Sequence, residues 1–176
     1  MNKKEYSLEV GGKPLIAEFN DLTDQTNGAV MLRYGNTVVL ATAVMGKEAR
    51  EGDFFPLTVD YEERFYATGK ILGSRFMRRE GRPSTEAILS GRIVDRTIRP
   101  LFNQKMRNEV QVVLTTISIG DEDPDSISVI AASLALGTSD IPWNGPASAI
   151  RIGKKGINLS GDGTSTESDF VVNPLT

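Results

Sequence analysis

The chain has 176 residues, 20 of them Lys or Arg and 23 Asp or Glu, with no His and no Cys. That length supports one domain with a proper core. The missing residue types exclude disulfides, a thiolate nucleophile, Ser-His-Asp chemistry, a His general base and every His- or Cys-ligated metal within this chain.

Any metal held here needs oxygen ligands, as Mg2+ does. The opening segment MNKKEYSLEV carries no long apolar run. Neither a signal peptide nor a membrane span is expected, and the expected compartment is the cytoplasm. The net charge of −3 hides a strong asymmetry. Between Arg64 and Arg107 lie 11 of the 20 basic residues against Glu80, Glu86 and Asp95, so this stretch carries +8 and the remainder −11. Nine of those 11 are Arg, the side chain suited to bidentate phosphate contacts. The same composition also suits a solvated face with ion pairs framing a core.

In chain order, Tyr6, Leu8 and Val10 alternate with polar residues up to Gly11-Gly12, and Leu15–Phe19 returns as a hairpin partner. A second hairpin is expected at Gly35-Asn36, between Ala29–Tyr34 and Thr37–Val44. The β-branched run Val38–Val44 predicts a strand buried on both faces. Phe55–Tyr61 predicts a further strand with a Pro near its start. From Ala67 to Pro83 the periodicity breaks into a long Gly- and Arg-rich loop, a feature often functional in compact domains.

Ser84 is a candidate N-cap with Glu86 in the first turn, and Ala87, Gly91, Val94, Ile98 and Leu101 form an apolar helical face that Pro100 ends. Glu109–Ile119 predicts a strong strand. Asp123-Pro124 opens a helix through Leu136 that is apolar nearly all round, hence buried, with Gly137 closing it. Ala147–Ile152 and Gly156–Leu159 predict a hairpin around Lys154-Lys155. The tract Ser160–Asp169 holds no apolar residue and reads as a mobile loop before a strand at Phe170–Val172. The order of elements is α+β, with helices on a mixed, mostly antiparallel sheet. The expected domain spans residues 1–176 and stops before its last strand.

Six ordered blocks carry a resemblance: FFPLTV at 54–59, YEER at 61–64, RREGRPS at 78–84, IVDRTIRPLF at 93–102, NEVQV at 108–112 and IPWNGPASAIRIG at 141–153. Together they resemble the first core of the polynucleotide phosphorylase (polyribonucleotide nucleotidyltransferase) family. The resemblance implies a ribonuclease PH-like (ribosomal protein S5 domain 2-like) fold. It implies a trimeric exoribonuclease of mRNA turnover that degrades single-stranded RNA from the 3′ end. Inorganic phosphate is the co-substrate, Mg2+ the cofactor, and nucleoside diphosphates the products. Family members carry two such cores, then KH and S1 RNA-binding domains, with the active site mainly in the second core. The second core, KH and S1 domains and the Mg2+ site are therefore expected outside this chain. No catalytic or metal-ligating residue is expected here; the core would contribute RNA threading and trimer assembly.

In the family, the loop ahead of REGRPS grips single-stranded RNA with two adjacent aromatics before a basic pair. Here the segment is Arg75-Phe76-Met77-Arg78-Arg79, with Met77 in the second aromatic position and Arg75 an addition. Phe76 would stack on a base, Met77 would pack on one through its thioether, and Arg78 and Arg79 would contact phosphates. Alternatively Phe76 plugs the loop onto its own core. Arg82, just before the Ser84 cap, is either an anion contact or an ion-pair partner of a carboxylate such as Glu80. Arg92, Arg96 and Arg99 offer a second anion surface, but their spacing and Asp95 favour a structural network. Asp60, Glu62 and Glu63 suit solvated surface better than a metal site, and Ser84 suits a cap better than a nucleophile. Two other readings stay open: a self-sufficient ribonuclease PH-like exonuclease, and a free-standing structural RNA-binding module.

Overall fold

A computed structural model describes residues 3–71, 73, 81–153, 156–158 and 168–174, with side chains as far as Arg151. The chain opens with two hairpins, β1 (Lys4–Val10) with β2 (Lys13–Phe19), and β3 (Gly28–Tyr34) with β4 (Thr37–Ala49). Their turns need left-handed backbone, which glycine supplies at Gly11, Gly12 and Gly35 with φ of 58°, 78° and 56°. β5 (Leu57–Glu63) and β6 (Asn108–Ser118) complete a six-stranded sheet in the order β1-β2-β3-β4-β6-β5. Only β5 and β6 run parallel, because α1 (Thr85–Ile98) carries the chain between them. A smaller antiparallel sheet follows, with β7 (Ala147–Gly153) between β8 (Gly156–Asn158) and β9 (Ser168–Pro174). The architecture is the expected mixed, mostly antiparallel α+β arrangement, divided into two sheets. Ser168 and Asp169 belong to β9 rather than to the polar loop, because they pair with Gly153 and Ile152. The rest of that tract, and Lys154-Lys155, lie outside the described residues.

Both helices cover one face of the large sheet. Val30 and Leu32 on β3, Val39 and Ala41 on β4, Val112 and Leu114 on β6, and Leu57 and Tyr61 on β5 share that face and are buried. On the opposite face Leu40 and Thr42 are half-buried and Val44 is exposed. The expectation of burial on both faces of Val38–Val44 is thereby corrected: the apolar run meets helices on one side only.

α1 begins as its sequence dictates. The Ser84 hydroxyl accepts from the Ala87 N–H at 3.0 Å, and Glu86 stands in the first turn, where the helix dipole favours it. Its buried face is Ala87, Gly91, Val94 and Ile98, while Leu101 is half-buried in a 3-10 turn, Arg99–Leu101, that continues past the helix through Pro100. A Cβ at Gly91 would meet the Tyr61 Cβ at 3.4 Å, so the glycine sets how closely α1 lies against β5.

α2 (Pro124–Gly137) touches β3, β4, β6, α1 and β7, which accounts for its nearly uniform burial. Gly137 is its last residue and not a left-handed cap. The C-cap is Thr138, whose N–H donates to the Leu134 carbonyl.

Candidate nucleic-acid interface

The C-terminal end of β5 leads into a 3-10 turn, Phe65–Thr68, which faces the start of α1 across a cleft of about 490 Å³. Backbone bonds hold the turn. The N–H of Ala67 donates to Arg64, that of Gly69 to Tyr66, that of Lys70 to Phe65, and that of Ile119, beyond β6, to Ala67 at 2.9 Å. Ala67 is the buried foot of the turn, and Gly69 ends it at φ 71°. Arg64, Phe65, Lys70, Arg82, Glu63 and Ser84 line the cleft. Arg64 is ion-paired with Glu62, and Glu63 accepts from the Ser84 hydroxyl at 3.3 Å. Lys70 and Arg82 are exposed. Beneath them Tyr61 is buried and receives a hydrogen bond from the Thr116 hydroxyl at 3.1 Å; burial holds its phenol well above the ordinary tyrosine range.

The arginine stripe divides. Arg99 holds both oxygens of Asp95, at 2.6 and 3.1 Å, and donates to the carbonyls of Leu57 at 3.1 Å and Phe55 at 3.5 Å. It ties the end of α1 to β5, an edge strand of the sheet among the described residues. Arg92 and Arg96 are exposed, and Arg92 lines a second cleft, of about 440 Å³, with Asp60, Ile88 and Asp95. Arg99→Ala should lower stability by about 2 kcal/mol by leaving a carboxylate and two carbonyls without their donor. Arg92→Ala and Arg96→Ala should each cost less than about 0.5 kcal/mol. Urea unfolding of the three variants checks the split, and equal losses would refute it.

Of the other residues singled out in the sequence, Arg82 reaches the first cleft, whereas Phe76, Met77, Arg78 and Arg79, along with Glu80, lie outside the described residues. Asp60 accepts from Gln111 at 3.0 Å and sits on the sheet face opposite Glu63. Glu62 lines the first cleft with Glu63 and the second with Asp60, each of the three held by a donor of the chain, and among the described residues no three acidic side chains gather as a metal site. Their arrangement does not fit Mg2+, so no chemical step is assigned to one here.

Two features had no signal in the sequence reading. The first is Phe65, exposed on the cleft wall. The second is the closing of the α2 N-terminus, whose start Asp123-Pro124 announced, by Arg151; helix N–H groups there commonly receive anions. Asp123 accepts there from Asp125 N–H and from the Ser126 hydroxyl, and Arg151 pairs with Asp123 at 3.3 Å and Asp125 at 3.2 Å. Burial, with the neighbouring Asp125 carboxylate, holds Asp123 above the usual carboxylate range, against the pull of Arg151. Asp123 thus caps the helix, and Arg151 is engaged by the chain's own carboxylates.

No helix among the described residues is long and apolar enough to cross a membrane. Residues 11–142 match the 3' exoribonuclease family, domain 1. The polyribonucleotide nucleotidyltransferase of Geobacillus kaustophilus is 49% identical over 98% of the chain, and that of Chloroflexus aurantiacus 56% identical over 86%. The chain spans 22% and 20% of those two proteins. Two solved structures share the fold: rice Rrp46, with a TM-score of 0.71 at 19% identity over 92% of this chain and 76% of that one, and the Archaeoglobus fulgidus exosome with RNA bound to the active site, with a TM-score of 0.66 at 14% identity over 99% and 75%.

Proposed function

Because this chain belongs to the 3' exoribonuclease family, domain 1, we propose that it is the first core of a phosphorolytic 3′-to-5′ exoribonuclease, a polyribonucleotide nucleotidyltransferase, acting in RNA turnover. The observation that carries this reading is identity near 50% over nearly the whole chain to enzymes of that name. In the intact protein, inorganic phosphate attacks the phosphorus of the 3′-terminal phosphodiester of single-stranded RNA, the bond to the 3′ oxygen of the penultimate nucleotide breaks, and the products are a nucleoside diphosphate and RNA one nucleotide shorter with a new 3′-hydroxyl. Such a reaction runs on positioning and electrostatics rather than on a covalent enzyme intermediate, which suits a chain without His or Cys.

The core itself is noncatalytic in this reading. Among the described residues no three acidic side chains gather as a metal site, and the α2 N-terminus is capped by Asp123, which Arg151 neutralises. It threads RNA past Arg82 and the Arg75–Arg79 segment and supplies contacts to a homotrimer. Mg2+ binds elsewhere in the intact protein, and the enzyme works in the cytoplasm.

The test is phosphate-dependent release of nucleoside diphosphates from a 3′-labelled RNA. The intact protein should release them, with loss on omitting phosphate, and the isolated 176-residue chain should not. Release by the isolated chain would make it a self-sufficient exonuclease. No release by the intact protein would leave a structural RNA-binding module.

A further inference from the structure

We propose that Asn144 is a site of spontaneous covalent modification, where the next peptide nitrogen converts its carboxamide into aspartate and isoaspartate. The sequence holds two Asn-Gly pairs, Asn27-Gly28 and Asn144-Gly145. Asparagine is thermolabile because the following peptide nitrogen can reach its side-chain carbonyl carbon, and glycine brings no side chain to hinder that approach. The step needs water alone. The Gly145 nitrogen bonds to Cγ of Asn144 and gives up its proton, and the side-chain nitrogen leaves as ammonia. Water then opens the cyclic imide. Cleavage of the new bond to Cγ yields aspartate, and cleavage of the main-chain bond yields isoaspartate, with the backbone routed through the former side chain.

The fold treats the two pairs differently. The Asn27 carboxamide is held at both ends: its Nδ2 donates to Asp140 at 2.8 Å, and its Oδ1 accepts from the Met45 N–H at 2.8 Å. Its own N–H donates to the Ala43 carbonyl at 3.0 Å, and Gly28 is paired with Ala43 in β3. That carboxamide cannot turn toward the Gly28 nitrogen without breaking both side-chain bonds. Asn144 lies between α2 and β7 and is exposed. Its N–H donates to the Leu101 carbonyl at 2.9 Å, but its carboxamide has no partner among the described residues, and the Gly145 N–H has no acceptor there. Nothing therefore opposes the rotation that brings Cγ to the Gly145 nitrogen. The glycine is itself required. Trp143 is anchored by its indole N–H to the Ile98 carbonyl at 3.2 Å and packs near Phe102, and a Cβ on Gly145 would stand 2.1 Å from the Trp143 ring. Packing thus keeps at this position the residue that makes the pair labile.

The experiment incubates the intact protein at mildly alkaline pH and follows both pairs by peptide mass spectrometry. Modification at Asn144 should outpace that at Asn27 roughly 10- to 100-fold, the range expected when two hydrogen bonds must open first. The Asn144 peptide should split into two products of equal mass, one eluting with the peptide of the Asn144→Asp variant and the other the isoaspartate form. Asn144→Gln, with one more methylene before the amide, should remove both products. In urea the two pairs should react at similar rates. Equal rates in the folded protein, or an unmodified Asn144 while Asn27 reacts, would overturn the proposal. So would a contrast that persists unchanged in urea, because its cause would then lie in the flanking residues rather than in the fold. The result is independent of the RNA reading above.

Discussion

Gly28→Ala should destabilise the protein by about 3 kcal/mol, at the upper end of overpacking costs. Gly28 opens β3, where the strand passes under the C-terminal turn of α2. A Cβ there would stand 2.2 Å from the Ala135 carbonyl oxygen and 2.8 Å from the Ser139 Cβ. The nearest atom is backbone, so no rotamer change relieves the clash. Either β3 or the whole helix end must move, and both are fixed: Gly28 pairs with Ala43, and α2 is held on all sides by the core. Gly137→Ala is the matched control. It lies in the same helix end, nothing stands within 4 Å of its Cβ, and alanine should be neutral or stabilise by up to about 1 kcal/mol. Chemical unfolding of the two variants separates a packing requirement from a general aversion to alanine. Similar midpoints would show that β3 and α2 are not as close as the structure places them.

Combined Arg78→Ala, Arg79→Ala and Arg82→Ala should weaken single-stranded RNA binding by the intact protein roughly 10- to 100-fold and reduce the slope of log affinity against log salt by about 2, since each phosphate contact on a single strand contributes about 0.7. Thermal stability should stay near that of the wild type, because Arg82 is exposed on the cleft rim. An unchanged slope would remove this stretch from the RNA path. A lowered melting temperature with an unchanged slope would mark these arginines as scaffold instead. The same titration with Arg92→Ala and Arg96→Ala tests the exposed part of the helix stripe, where a smaller change in slope would mark a secondary anion surface.

Much of this was legible in the sequence because it is local. Alternation and apolar β-branched runs placed β1 to β6, to within two residues except at the end of β4, which runs on from Val44 to Ala49. Ser84 and Asp123 declared two helix starts through side chains that reach only two or three residues ahead. The glycines at the hairpin turns announced left-handed backbone, and the ordered blocks from Phe54 to Gly153 pointed to the family.

What the sequence could not decide depends on residues far apart in the chain. Nothing local says that β6 inserts between β4 and β5, or that helices cover only one face of Val38–Val44. The basic block from Arg64 to Arg107 looks uniform in one dimension. In three dimensions Arg99 reaches carbonyls 42 and 44 residues away and becomes structural, whereas Arg82 and Arg92 are exposed at the two clefts. Arg151 meets Asp125 across 26 residues and closes the α2 N-terminus. Charge and periodicity fix what each segment can be. Which cations remain available to a phosphate is settled only when distant carboxylates and carbonyls have taken theirs.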